Sequence, residues 1–271
     1  MLSKGTVLLV LVVLLALIGG LLKIIGGLLY GSRSLLVDAL TSFANIAALL
    51  FTLYYYRLST MPPDTDHPFG HYRLGVGGKI AVMISYSFVA GIAISELLTS
   101  TYYKVSLYSV YFALLGFIVY LGVIYVARLI GGIFKTYSAF TVSELIESIV
   151  VILAALGGAV ISYLIDYTGA ILLTLYIFYE IKETFSEAIV IISDTAPSSD
   201  LIRRINEVVG KYGLKVIRSR IRFLEPGRYH GDIKVSIPRD INIDELIKIL
   251  RSLKKELYEE LGVDASIEID F

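Results

Sequence analysis

The chain has 271 residues, 56% of them hydrophobic, with a mean hydropathy of +0.75. That excludes an ordinary soluble domain. Its 24 basic and 24 acidic residues cancel, and with no cysteine it can form neither disulfides nor thiolate metal sites.

A membrane-spanning helix needs about 20 apolar residues. Six segments qualify: 6–30, 34–56, 76–98, 107–130, 139–161 and 169–192. The first is too long for the apolar stretch of a signal peptide and lacks a small-residue cleavage site, so it is read as a retained span. One set of loop ends carries Lys4, Arg57, Arg73, Lys79, Arg128, Lys135 and a charged tail; the other carries Arg33, Lys104 and Asp166. The positive-inside rule then puts both termini in the cytoplasm of a multi-pass cell-membrane protein. Tyr54, Tyr55, Tyr56, Tyr102 and Tyr103 fall at span ends and read as interfacial belts.

Between the second and third spans runs Met-Pro-Pro-Asp-Thr-Asp-His-Pro-Phe-Gly-His, residues 61–71, with two of the chain's three histidines. Imidazole with carboxylate oxygen is the ligand set of a borderline divalent metal such as zinc. At a membrane surface this points to metal handling. The competing reading is a proline-rich turn capped by Asp64 and Asp66, with solvated histidines.

Beyond 194–200, where Pro197 stops the sixth helix, the composition shifts. Residues 196–271 hold 14 Lys and Arg and 13 Asp and Glu, over half of the chain's charges. Helical spacing over 200–211 is followed by period-two alternation over 215–223 and 231–237. A helix over 240–261, opened by Asn242 and Asp244, precedes a strand over 265–271. The order αββαβ predicts a small α+β domain with its helices on one sheet face. At roughly 70 residues it is marginal alone, so pairing with a second copy is expected. Arg218, Arg220 and Arg222 share a strand face. They contact anionic lipid or another anion, or form a solvated face paired with acids. His230, in a turn-like stretch, is read as solvated.

Three stretches resemble the cation diffusion facilitators, the zinc-efflux type of cation/proton exchanger. Gly31-Ser32-Arg33-Ser34-Leu35-Leu36-Val37-Asp38-Ala39-Leu40 is similar to the family's GSxSLLADAL entry to its second helix. Residues 64–71 resemble its D-x-x-H-P-[FY]-G-H loop, and Ser143-Glu144-Leu145-Ile146-Glu147-Ser148 resembles SDALSS in its fifth helix. The tail is similar to its cytoplasmic dimerisation domain. The resemblance implies six transmembrane helices over 1–195 and a ferredoxin-like αββαβ cytoplasmic domain over 196–271. It also implies a homodimer in the lipid bilayer that exports a divalent metal ion by alternating access, usually against protons. No nucleic-acid partner and no enzymatic activity are expected, since no nucleophile–base pair, Walker loop or dinucleotide fingerprint appears.

The resemblance assigns the transport site to pairs four residues apart on the second and fifth helices, here Thr41 with Asn45 and Phe140 with Glu144. That spacing puts both side chains of a pair on one helical face. Only Glu144 keeps an ionisable ligand. Glu147, one turn on, and Asp38, one turn before Thr41, are auxiliary candidates, because intramembrane carboxylates are functional candidates by default. The residue-level alternatives pair Asp38 with backbone or Arg33, and Glu147 with Lys23. An oxygen-only site favours Mn2+, Fe2+ or another hard ion over Zn2+. In the loop, Asp64, His67 and His71 match the family's second metal site. Arg73 and Asp194 match its cytoplasmic charge interlock. Lys234 and Glu268 stand where the tail's metal ligands would be, and an ion pair between them replaces the metal. The altered ligand set also leaves open a transport-incompetent partner or metal-sensing protein.

Overall fold

The computed structural model describes residues 4–130, 133–225, 227–237 and 241–270, excluding the side chains of 4–6 and 133–143. It divides into two compact units, Met1–Arg57 with Gly77–Phe185, and Leu58–Val76 with Ser186–Phe271.

The long helices are α1 (Lys4–Leu28), α2 (Arg33–Ser59), α3 (Val76–Thr99), α4 (Leu107–Ile130), α5 (Ile133–Val160) and α6 (Tyr163–Ile192), all in the first unit except the last residues of α2 and α6 and the first of α3. Among the described residues, five of these are long and apolar enough to cross a membrane. The remaining one, α5, is 28 residues long. α1 packs on α4, and α4 on α5. The polarity is inverted relative to a soluble bundle. Phe88, Leu153 and Leu175 are exposed, while Lys23, Asp38, Asn45, Glu144, Glu147 and Glu180 are buried. Apolar side chains outward and polar ones inward suit a hydrocarbon solvent.

α6 starts six residues before the expected span, at Tyr163. The reason is Asp166, expected in an outer loop but fully buried in the first turn of α6. Its Oδ1 accepts the hydroxyls of Ser32 (2.7 Å) and Ser34 (2.5 Å). Its Oδ2 accepts the Arg33 backbone N–H (2.7 Å) and the Tyr103 hydroxyl (3.0 Å). A carboxylate is favoured at a helix N-terminus, and this one serves α2 as well as α6. The serines of the Gly-Ser-Arg-Ser stretch are therefore a clasp for Asp166. Gly31 makes the preceding turn at φ +78°, where a Cβ would lie 2.4 Å from the Lys104 carbonyl oxygen.

In the second unit, α7 (Ser199–Lys211), β1 (Lys215–Glu225), β2 (Arg228–Ser236), α8 (Ile243–Leu261) and β3 (Val263–Asp270) follow the expected αββαβ order. Ser198 caps α7, Asn242 caps α8, and α8 ends on left-handed Gly262. The sheet order is β1-β2-β3, with β1 antiparallel and β3 parallel to β2. Ile205, Val209, Ile233, Val235, Leu253 and Val263 form the fully buried centre of its core. β2 begins at Arg228, so His230 lies on a strand rather than in a turn.

Candidate functional site

On α2, Asp38, Thr41 and Asn45 share one face, and all three are buried, none more than 5% exposed. The Asn45 Nδ2 donates to Glu144 Oε1 of α5, which brings those two expected residues together. The second carboxylate oxygen, Oε2, is buried with no hydrogen-bond partner. Leaving such an acceptor unpaired costs about 1–3 kcal/mol, and more for a charged group. A cation at Oε2 would remove that cost. Thr41 donates its hydroxyl to the Asp38 carbonyl (2.9 Å), which leaves its oxygen lone pairs available. Glu147 is buried one turn beyond Glu144. The side chain of Phe140 lies outside the described residues.

Neither alternative pairing with Arg33 or with Glu147 forms. Lys23 of α1 donates from Nζ to Asp38 Oδ1 (2.8 Å) and to Ser42 Oγ (3.1 Å), and its ammonium lies 4.3 Å from the Tyr120 ring centre. Arg33 instead pairs with Glu96 (2.6 Å). The hairpin turn at Gly31 explains this: Lys23 and Asp38 are about equally far from it along antiparallel α1 and α2, so they meet at one depth.

Two residues not singled out from the sequence join the cluster. Tyr86 of α3 donates its hydroxyl to Asn45 Oδ1. Glu180 of α6 is buried within hydrogen-bonding reach of the Tyr86 and Tyr176 hydroxyls. The available signal was Tyr176 four residues before Glu180, a polar pair on one face of the last span.

In the second unit, Asp64, His67 and His71 offer ligand atoms that all lie within 4.8 Å of one another. Asp64 Oδ1 is 3.4 Å from His67 Nδ1, and Oδ2 is 3.3 Å from His71 Nε2. Donors at zinc-like bond lengths around a tetrahedral ion stand roughly 3.4 Å apart, so the set fits one ion. His71 Nδ1 lies 3.0 Å from the Pro62 carbonyl. A carbonyl only accepts, so Nδ1 carries the proton and the Nε2 lone pair faces Asp64, as in metal-ligating histidines. The turn-cap reading holds for Asp64, whose Oδ1 accepts the backbone N–H groups of Asp66 (3.1 Å) and His67 (2.7 Å), but His71 is buried rather than solvated. The His67 N–H, helped by the neighbouring imidazoles, holds the Asp64 carboxyl below its ordinary range, so it stays ionised. The cap orients the carboxylate that would bind the metal. His71→Ala is expected to weaken Mn2+ or Zn2+ binding here by roughly tenfold or more, and Asp66→Asn to leave it unchanged. Titration calorimetry in a Glu144→Gln background isolates this site; equal affinities for all three proteins would remove it.

Arg73 and Asp194 form an ion pair, and Arg222 reaches the same carboxylate at 3.4 Å. Asp194 adopts φ +54°, a left-handed conformation that aspartate tolerates. Burial works to raise the Asp194 carboxyl, but the Arg73 hydrogen bond and the two guanidinium charges outweigh it and hold it below the ordinary range. The Lys234–Glu268 ion pair does not form. The two are register partners on β2 and β3, but Lys234 Nζ reaches Asp270 (2.5 Å) and Glu268 pairs with Arg218 (3.5 Å). The long lysine side chain leans one pair further along the strand, and the arginine from β1 takes the vacated carboxylate. Arg220 pairs with Asp232 (3.4 Å), so the arginine face of β1 is matched by acids.

The family model described as the cation efflux transmembrane domain matches residues 9–193, more than half of the chain. The chain belongs to the cation efflux family. It is therefore a multi-pass membrane transporter and not an enzyme. The manganese efflux system protein MneP of Bacillus subtilis strain 168 is 27% identical over 272 residues, spanning 93% of this chain and 91% of its own. The manganese efflux system protein MneS of the same organism is 26% identical over 260 residues, 90% of this chain and 88% of its own. The cation-efflux pump FieF of Pectobacterium carotovorum is 39% identical over 69 residues, 26% of this chain and 22% of its own.

Proposed function

We propose that this family member exports a divalent cation, Mn2+ foremost, from the cytoplasm in exchange for protons, by alternating access in a homodimer. Residues 1–195 form the membrane domain and 196–271 the cytoplasmic dimerisation domain, with both termini in the cytoplasm. The observation that carries this reading is the buried, unpartnered Glu144 Oε2 beside Asn45. Thr41, Asn45, Glu144 and Glu147 offer only oxygen ligands, which suits Mn2+ or Fe2+ better than Zn2+. The names of the two manganese efflux relatives agree with that choice. Two carboxylates neutralise a divalent charge, and protons can replace the metal on them when it leaves. Asp38 is engaged by Lys23 and is assigned to the structure around the site, while Asp64, His67 and His71 are assigned to a cytoplasmic loop site.

Flux in proteoliposomes, with internal pH and metal dyes, tests this across Mn2+, Fe2+, Zn2+, Co2+, Mg2+ and Cd2+. Saturable Mn2+ flux with opposed proton movement is the expected result. No flux of any ion through a folded, dimeric protein would overturn it in favour of a transport-incompetent partner.

A further inference from the structure

The Asn45 amide has two unlike ends. Its oxygen can ligate a cation, whereas its NH2 group is a donor that positive charge repels. In this structure the oxygen accepts the Tyr86 hydroxyl, and the nitrogen donates to Glu144 Oε1. The donor end thus faces the carboxylate that holds the ion. Placing a cation between Asn45 and Glu144 requires the amide to turn over. Its nitrogen then faces Tyr86, whose hydroxyl must accept and so must donate its own proton elsewhere. Buried hydroxyls are ordinarily hydrogen-bonded, and here the protein itself offers an acceptor for that proton. Glu180 is one, buried on α6 within hydrogen-bonding reach of the same hydroxyl. Tyr176, one turn earlier on α6, also reaches Glu180 and steadies it.

We propose that Tyr86 and Glu180 are positioning residues for the transported cation, together allowing the Asn45 amide to switch from donating to Glu144 to presenting its oxygen to the ion. This rests on Asn45 and Glu144 being the transport site. Neither Tyr86 nor Glu180 touches the cation, and no covalent bond changes; only hydrogen bonds reverse direction. The site thereby draws on α3 and α6 as well as α2 and α5.

A variant cycle in proteoliposomes, reading KM and maximal rate for Mn2+, tests the inference. Tyr86→Phe and Glu180→Leu are each expected to raise KM by roughly tenfold, the effect of one unmade buried hydrogen bond. Glu180→Gln keeps a carbonyl acceptor and is expected to retain most of the affinity. In Asn45→Asp both ends are oxygens and nothing has to turn, so Tyr86→Phe should then change KM less than about twofold. Mn2+ binding in detergent, with the loop site removed by His71→Ala, runs the same cycle for any variant that binds without transporting. Equal losses in the parent and the Asn45→Asp backgrounds would mean a purely structural role and overturn the inference. If Glu144→Gln transports as well as the parent protein, it is the transport-site reading that fails instead.

Discussion

Glu144→Gln is expected to lower the initial rate of Mn2+ flux by about 100-fold or more, while the protein remains folded. Glutamine is nearly isosteric and its carbonyl still accepts from Asn45 Nδ2, so the α2–α5 contact survives. What disappears is the charge. A buried dication that loses one of its carboxylates is left under-compensated at a cost of about 3 kcal/mol or more, which is at least two powers of ten in rate. The comparison is made on proteoliposomes of matched protein content, with thermal unfolding in detergent as the folding control. Flux within a few-fold of the parent protein would remove Glu144 from the ion's path.

Lys23→Met is expected to destabilise the membrane domain by about 3–5 kcal/mol, the cost of breaking a buried ion pair from one side. Lys23 is fully buried and its ammonium is held by Asp38, Ser42 and the Tyr120 ring. Without it Asp38 loses its partner, and its Oδ2 is already buried and unpaired. The midpoint of thermal unfolding should fall by on the order of 10 °C. The double variant Lys23→Met with Asp38→Leu should recover most of that loss, because replacing both charges by apolar groups of similar volume is often neutral or stabilising. A single variant as stable as the parent, or a double variant as unstable as the single one, would show that the pair is not what holds α1 to α2.

Much of this was legible in the chain itself, because membranes impose simple rules. Apolar length marked the spans, and residue type and spacing in the histidine loop picked out Asp64, His67 and His71, whose ligand atoms do lie within 4.8 Å of one another. The tail's alternation of periods predicted αββαβ. The pairings were harder to read. Sequence offers residue types along a line, whereas Lys23 meets Asp38 through hairpin depth, and Lys234 meets Asp270 through side-chain reach across neighbouring strands. Asp166 looked like a loop residue because an isolated acid beside an apolar run is ordinarily solvated; four hydrogen bonds reverse that preference. Glu180 was hidden by its neighbours Lys182 and Glu183, which made it look like part of a charged helix end. Tyr86 carried no signal among 20 tyrosines.

The Asp166 clasp also makes α2 a lever. With its first turn fixed to α6, the helix has a fulcrum near Arg33, and at 1.5 Å per residue Asn45 lies about 18 Å along the arm. A swing of about 10° moves Asn45 by about 3 Å, enough to part it from Glu144. Asp38, about 8 Å from the fulcrum, travels only about 1.3 Å, a distance the flexible Lys23 side chain can follow. In such a swing the ion pair would stay attached as a short tether, while the amide–carboxylate contact would sit at the fast end of the arm. A small angular change at the clasp would thus be amplified into a large change in the Asn45–Glu144 separation.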